Sequence, residues 1–240
     1  MKLSIIIPVY NEERTLKEII YRVKKARIPA GVSSEIIVVD DASEDSSKLR
    51  FQSAKLEFKI KNLKLVEHKK NKGKGAAVRS GIKTSSGDII LIQDADLEYN
   101  PADYSRLLKP ILEGKTRIVY GTRLKNYPLK LFGNDKTPLP LHLIGNKFLT
   151  FVTNLLYGSN LSDMETGYKV FKAEVLKGVK LKSKRFEFEP EITAKVLKRG
   201  YNIYEVPIKV NPRGYDEGKK ITWRDGFSAT WTLIKYRFTD

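Results

Sequence analysis

The chain contains no cysteine and only two histidines, His68 and His142, far apart in its 240 residues. Disulfides and thiolate metal centres are therefore excluded, and a zinc site is not expected. No window of 18 or more uncharged apolar residues occurs, so no membrane-spanning helix is expected. The apolar N-terminal run Leu3–Val9 is too short for the usual layout of a signal peptide, and no cleavage site follows it. The expectation is a cytoplasmic protein, soluble or peripheral on the cytoplasmic face of a membrane. The first apolar run is not followed by GxGxxG, which argues against a nicotinamide or flavin enzyme. The Gly-rich stretch at 71–75 lacks the spacing and the Lys-Ser/Thr pair of a P-loop. There is no repeat, low-complexity segment or clear linker.

What is present suffices for one large α/β domain: 41% of residues are hydrophobic and 10% aromatic. Lys and Arg number 45 against 28 Asp and Glu, a formal charge of +17. That excess suits an anionic partner such as nucleic acid, acidic lipid or a phosphorylated substrate. A Lys-rich solvated surface, as thermophile proteins carry, accounts for it as well. Nucleic acid is the poorest of these partners. No segment reads as a recognition helix, and the acids at the strand ends would repel phosphate without a metal.

The first half alternates strand and helix signals. Strand-like runs at Leu3–Val9, Glu35–Val39, Leu63–Glu67 and Asp88–Gln93 are separated by helical patterns at about Glu12–Arg27, Asp45–Phe58 and Gly75–Thr84. Buried runs joined by helices predict an α/β fold whose mostly parallel sheet is covered on both faces. Beyond it, Pro101–Glu113, Leu141–Tyr157, Phe186–Arg199 and Trp223–Phe238 read as helices, and Arg117–Gly121 and Ile203–Val210 as strands. A single domain over 1–240 follows, with a functional division near residue 122.

Ligands of parallel sheets collect at the carboxyl ends of the strands, and the polar clusters fall there. Asp94-Ala95-Asp96 follows the fourth apolar run. Carboxylates at i and i+2 of an extended backbone point the same way, and their repulsion calls for a cation. Mg²⁺ or Mn²⁺ takes one or two carboxylates and completes its shell with phosphate oxygens and water, with Glu98 as a possible third ligand. After the second run, Asp41 can accept from a nucleobase or ribose, while Ser43 is expected to cap the next helix. After the first run, Tyr10 offers an aromatic face and Glu12 an acid, although Asn11-Glu12 also makes a good helix start. Asn71-Lys72-Gly73-Lys74-Gly75 sets two glycines and two lysines before a helix, where close backbone approach and a helix N-terminus favour an anion.

The succession PVYNE, VVDDAS, NKGKG, DADLE, GTR and SDMETGYKVF resembles glycosyltransferase family 2, closest to its dolichyl- and polyprenyl-phosphate sugar synthases. The resemblance runs from Ile5 to about Phe238. It implies a GT-A fold, a Rossmann-like sheet with helices on both faces, and inverting transfer from a metal-bound nucleotide diphosphate sugar. UDP-glucose and GDP-mannose both fit. By position, Pro8, Tyr10, Glu12 and Asp41 would bind the nucleoside. Lys74 and Ala95 would join the nucleotide-sugar site, Asp94 and Asp96 would bind the metal and the diphosphate, with Asp96 in a catalytic part, and Glu98 would be a further metal ligand. Glu98 falls where that branch often has Gln. Residues 1–122 would form the donor half and 123–240 the acceptor half, in which Arg123, Arg213 and Lys220 would clamp an acceptor phosphate.

If the acceptor is a phosphate monoester, its oxygen is already largely ionised near neutral pH and needs no base. If it is a sugar hydroxyl of a polysaccharide or glycolipid, a carboxylate must take the proton, and Asp163 is the candidate. In the phosphate case Asp163 would position the acceptor or orient an Arg. Two apolar faces, one on Leu141–Tyr157 and one on Trp223–Phe238 with flanking cations, suit either a membrane surface or packing against each other or a second subunit. A nucleotidyltransferase, which also pairs a parallel sheet with metal-binding acids, is disfavoured because the Gly-rich first loop is absent.

Overall fold

The computed structural model describes residues 1–124, 140–211 and 223–240. The first half is β1 (Lys2–Val9), α1 (Leu16–Lys25), β2 (Ser33–Asp40), α2 (Ser47–Phe58), β3 (Leu63–Glu67), α3 (Lys74–Thr84) and β4 (Ile89–Ile92). A 3₁₀ turn (Pro101–Asp103), α4 (Tyr104–Leu112) and β5 (Ile118–Thr122) follow. The remainder is α5 (Pro140–Tyr157), β6 (Lys169–Lys172), α6 (Ala173–Leu176), α7 (Phe188–Lys198), β7 (Tyr204–Pro207) and α8 (Trp223–Phe238).

The seven strands form one sheet in the order β3-β2-β1-β4-β6-β5-β7. β1 pairs in parallel with β2 and β4, β2 with β3, and β5 with β7, while β6 runs antiparallel to both β4 and β5. All strands but β6 therefore point the same way. β1 alternates its side chains between two cores. Leu3, Ile5, Ile7 and Val9 meet Leu16, Ile19, Ile20 and Val23 of α1 and Leu107 and Ile111 of α4. Ile6 faces the other way, toward Ala77 and Val78 of α3 and Phe188, Ile192 and Val196 of α7. Burial on both faces is why β1, β2 and β4 are nearly continuous apolar runs. A third core of Leu149, Met164, Ala194, Ala229, Leu233 and Tyr236 binds α5, α7 and α8 together.

The sequence signals for β6 and α6 were too weak to predict either. β6 is four residues long and bounded by lysines, yet Lys169 is fully buried. Its ammonium donates to the carbonyls of Met164 and Thr166 and lies 4.7 Å from the Tyr120 ring centroid. β7 ends at Pro207 rather than Val210, which makes only an isolated bridge to Tyr99. α1 starts at Leu16, because residues 12–15 form a turn in which the amides of Thr15 and Leu16 both donate to Glu12 O.

Candidate active site

The strand order places the ends of β1, β2 and β4 side by side. The order reverses at β1, whose two neighbours are β2 and β4, so the crevice between the ends of β1 and β4 is the switch point at which such sheets take ligands. Backbone strain concentrates in the three loops leaving these strands. Of four non-glycine residues with positive φ among the described residues, Asn11 (55°), Ala42 (61°) and Leu97 (65°) lie one in each loop. Such conformations persist where the surroundings over-determine them, often at sites of function.

The first two loops are stitched together. Asn11 N donates to Ser43 Oγ at 3.0 Å, Glu44 N to Asn11 Oδ1 at 2.9 Å, and Glu12 N to Ser47 Oγ at 3.0 Å. Ser43 itself donates to Asp40 Oδ1 through both N (3.0 Å) and Oγ (2.6 Å). It therefore clips loops together instead of capping α2, which starts four residues later. Pro8, Tyr10 and Glu12 are half-buried along this edge.

Asp41 is buried and heavily bonded. His68 Nδ1 lies 2.6 Å from Oδ1, Lys72 N donates at 2.9 Å, and Gly73 N donates to Oδ2 at 2.6 Å. His68 Nε2 meets Ser80 Oγ at 2.8 Å, which ties the end of β3 to α3. The amides of Lys72 and Gly73 are thus taken up inside the protein. Gly73 sits at φ 90°, and a Cβ there would collide with the Lys184 carbonyl. Gly73 and Gly75 of the 71–75 loop both lie against the segment entering α7.

The third loop turns at Ala95–Asp96, so the alternation of an extended strand does not set the two aspartates' directions. Ala95 is buried, while Asp94, Asp96 and Glu98 are half-buried. Asp96 Oδ1 accepts from Glu98 N at 3.1 Å. Buried Gln93 fixes the loop: its Oε1 accepts from Tyr104 and Tyr168 hydroxyls at 2.8 Å each, and its Nε2 donates to the carbonyls of Asp94 (3.0 Å) and Tyr99 (3.3 Å). A Cβ on Gly167 would collide with Asp94 Oδ2 and come within 2.9 Å of the Tyr99 ring. Gly167 N donates to the Tyr99 hydroxyl at 2.8 Å, so this glycine lets the β6 approach press directly on the aspartate loop.

Lys74, at the start of α3, bridges Asp94 Oδ1 (2.9 Å) and Glu189 Oε1 (2.8 Å) of α7. Burial works against its charge, but the two carboxylates outweigh that and hold its pKa well above the ordinary value. Close by, Glu189 Oε2 and Glu165 Oε1 are buried without a hydrogen-bond partner among the described residues. Burial, then the Glu189 charge, pushes the Glu165 carboxyl up to about 7. Burial also lowers the pKa of neighbouring Lys169, against the pull of the same two glutamates.

Arg123 follows β5. Its Nε donates to Asp163 Oδ2 and its Nη2 to Asp163 Oδ1, both at 2.7 Å, and its backbone N adds 2.9 Å to Oδ2. Asp163 has no exposure and Arg123 retains 19%. Glu205 of β7 supports the pair by accepting from Ser162 N (2.9 Å) and Asp163 N (3.1 Å). Both oxygens of Asp163 are thereby engaged with the guanidinium. Arg213 and Lys220 lie outside the described residues.

Among the described residues no three His, Cys, Asp or Glu side chains are gathered as a ready-made ion cage, so Glu98 does not complete a triad with Asp94 and Asp96. The donor set still fits a hard cation. Asp94 already holds a positive charge, the Lys74 ammonium, at 2.9 Å. A Mg²⁺ or Mn²⁺ ion needs only one or two protein carboxylates when phosphate oxygens and water fill the other positions.

A family model, Glycosyl transferase family 2, matches residues 4–179. The chain belongs to glycosyl transferase family 2. It is 30% identical to the UDP-N-acetylglucosamine–dolichyl-phosphate N-acetylglucosaminyltransferase of Methanococcus voltae, an alignment covering 96% of this chain and 94% of that one. It is also 30% identical to the dolichol-phosphate mannosyltransferase of Pyrococcus furiosus, over 91% of this chain but 59% of that longer protein. Among solved structures, glucosyl-3-phosphoglycerate synthase of Mycobacterium tuberculosis, with Mn²⁺, UDP and phosphoglyceric acid, superposes with a TM-score of 0.72 at 19% identity. That superposition covers all of this chain and 79% of the other. The fold is the GT-A fold, and the site just described occupies its switch point.

For a family 2 member, sequence reasoning overlooked Gln93, Gly167, Glu165 and Glu189. Gln93 directly precedes DADLE, where a polar residue ending an otherwise apolar strand was a readable signal, and Glu165 and Gly167 lie within SDMETGYKVF itself. Glu189 lies in α7, 115 residues from Lys74, and nothing local marks it.

Proposed function

We propose that this family 2 glycosyltransferase moves a hexose or N-acetylhexosamine, in an inverting reaction, from a nucleoside diphosphate sugar to a polyprenyl or dolichyl phosphate. The names of the two relatives support this reading, and one observation carries it: the bidentate Arg123–Asp163 pair. A carboxylate with both oxygens on an arginine is a poor general base and a good orienting group. A planar guanidinium so held presents a fixed fork to phosphate.

In this reading the residues divide the work along the rim. Tyr10 and Glu12, with Pro8, face the nucleoside. Asp41 contributes by fixing the Lys72–Gly73 wall through the bonds described. Asp94 and Asp96 would hold Mg²⁺ or Mn²⁺, which when bound neutralises charge developing on the departing diphosphate. Ala95, buried between them, keeps that loop tight. Lys74 balances Asp94 and places a second positive charge beside the leaving group. Arg123, with Arg213 and Lys220 as further expected cations, holds the acceptor phosphate for in-line attack at the anomeric carbon. The acceptor oxygen arrives ionised, so no side chain removes a proton. A sugar hydroxyl acceptor would instead require Asp163 to leave Arg123.

The experiment is transfer in detergent with UDP-glucose, UDP-N-acetylglucosamine and GDP-mannose, each offered polyprenyl phosphate and, separately, soluble sugars. Glycosylated lipid phosphate from one donor is expected. Transfer to soluble hydroxyls alone would overturn the reading.

A further inference from the structure

Two neighbouring helices expose the same apolar spacing. On α5 it is Ile144, Phe148, Phe151 and Leu155; on α8 it is Phe227, Trp231, Ile234 and Phe238, and all eight are between 38% and 78% exposed. Both sets advance by four, three and four residues. At about 100° per residue, each set falls in a band roughly 60° wide. The helices are locked side by side by Leu149, Ala229, Leu233 and Tyr236, and by the Tyr157 hydroxyl donating to Leu233 O at 2.7 Å. A single exposed hydrophobe needs no explanation, but two aligned stripes on packed helices make a patch.

Exposed Lys147, Lys235 and Arg237 border the stripes. On the helical wheel they lie about 70–90° from each stripe's centre, where long cationic side chains reach outward past an inserted apolar face. α5 contains no acidic residue, and α8 contains one, Asp225. A symmetric pair of chains would set these cationic borders against each other with almost no carboxylate to answer them. No helix among the described residues is long and apolar enough to cross a bilayer. The pattern is that of helices lying in an interface.

We propose that the α5–α8 face docks this protein on an anionic lipid surface, with the eight apolar side chains entering the bilayer interface and Lys147, Lys235 and Arg237 at headgroup level. The inner side of α5 grips the chain on either side of Asp163. Thr150 Oγ1 accepts from Met164 N at 3.1 Å, and Asn154 donates to Leu161 O at 2.8 Å and accepts from Leu161 N at 2.9 Å. Docking therefore anchors the Arg123–Asp163 side of the site at the membrane. That consequence rests on the lipid-phosphate reading above, whereas docking itself does not.

The test is co-sedimentation of the full chain with vesicles of phosphatidylcholine alone or mixed with phosphatidylglycerol, without donor or acceptor. Expected are binding to the mixed vesicles that weakens with salt, and a blue shift of tryptophan emission. Phe151→Ser with Trp231→Ser should lower partitioning by roughly tenfold or more, since each loses an inserted side chain. Lys147→Glu with Lys235→Glu should abolish the preference for anionic vesicles. All four positions are exposed, and unchanged melting curves and donor binding in these variants would show the fold intact. Wild-type protein that ignores both vesicle types, or variants that bind as well as wild type, would overturn the proposal. So would a concentration-dependent dimer that the Phe151→Ser, Trp231→Ser variant loses, which would assign the face to a second copy. Detergent transfer to polyprenyl phosphate reads the acceptor assignment separately, so the two ideas fail independently.

Discussion

Replacing Lys74 with Met should expose how the charges around Asp94 are balanced. The Lys74 ammonium stands 2.9 Å from Asp94 and 2.8 Å from Glu189, and the lysine side chain is 19% exposed. Methionine fills similar volume but leaves two carboxylates facing each other across the gap. One of them, Glu189, already has a buried oxygen without a hydrogen-bond partner among the described residues. Breaking a buried pair by removing one member costs about 3–5 kcal/mol, and Asp94 retains enough solvent contact to favour the lower end. Since 1 kcal/mol moves the melting point of a chain this size by about 2–4 °C, the loss should be roughly 6–12 °C. Adding Glu189→Gln removes one of the stranded charges and should recover a large part of it, because residues sharing one network do not behave additively. Mn²⁺ alone should stabilise Lys74→Met more than wild type, since it can take the ammonium's place beside Asp94. Differential scanning calorimetry of the two single variants and the double variant, with and without Mn²⁺, reads all three effects. A Lys74→Met variant melting within about 2 °C of wild type, or a double variant with simply summed losses, would refute the reasoning.

Three further outcomes are expected. Gly167→Ala should cost about 1–3 kcal/mol, the usual range for overpacking; its donor affinity should fall further than its stability, measured by calorimetric titration, because the new methyl displaces Asp94. Asp163→Asn should raise the KM for lipid phosphate with a modest change in kcat, since it loosens Arg123; a kcat drop of roughly 10²–10⁴ would mark a general base instead. Glu165 binds its proton more tightly folded, at about 7, than at the ordinary 4.5 of an unfolded glutamate. Its contribution to stability is therefore complete below 4.5 and is lost as pH rises through about 7, by up to about 3 kcal/mol. Denaturant melts of wild type and Glu165→Gln between pH 4.5 and 8 should diverge in slope over that window.

The first half of the chain was legible because its physics is local. Buried parallel strands must be apolar on both faces, so Leu3–Val9, Glu35–Val39 and Asp88–Gln93 announce themselves, and the acids that end them fall on one rim. Helix boundaries shifted by one to four residues where turns such as 12–15 captured the first amides. β6 was hidden because its identity depends on pairing with residues 89–92, about 80 positions away, and on burying Lys169 against carbonyls and Tyr120. The same long range hid Glu189 and Gly167, which matter only once α7 and β6 close on Lys74 and Asp94. Asp41 shows the opposite problem: its position was legible, but its partners His68, Lys72 and Gly73 come from a loop whose path no local pattern describes.

The central claim is that acids on the β4 loop hold a cation and a sugar nucleotide's diphosphate together. Thermal unfolding should be followed while UDP-glucose, UDP-N-acetylglucosamine and GDP-mannose are titrated with and without Mg²⁺ or Mn²⁺, in wild type and Asp96→Ala. One donor at about 100 times its Kd should stabilise the wild type by about 2.7 kcal/mol, only when metal is present, and should leave Asp96→Ala unmoved. A shift of equal size without metal, or in Asp96→Ala, would contradict it.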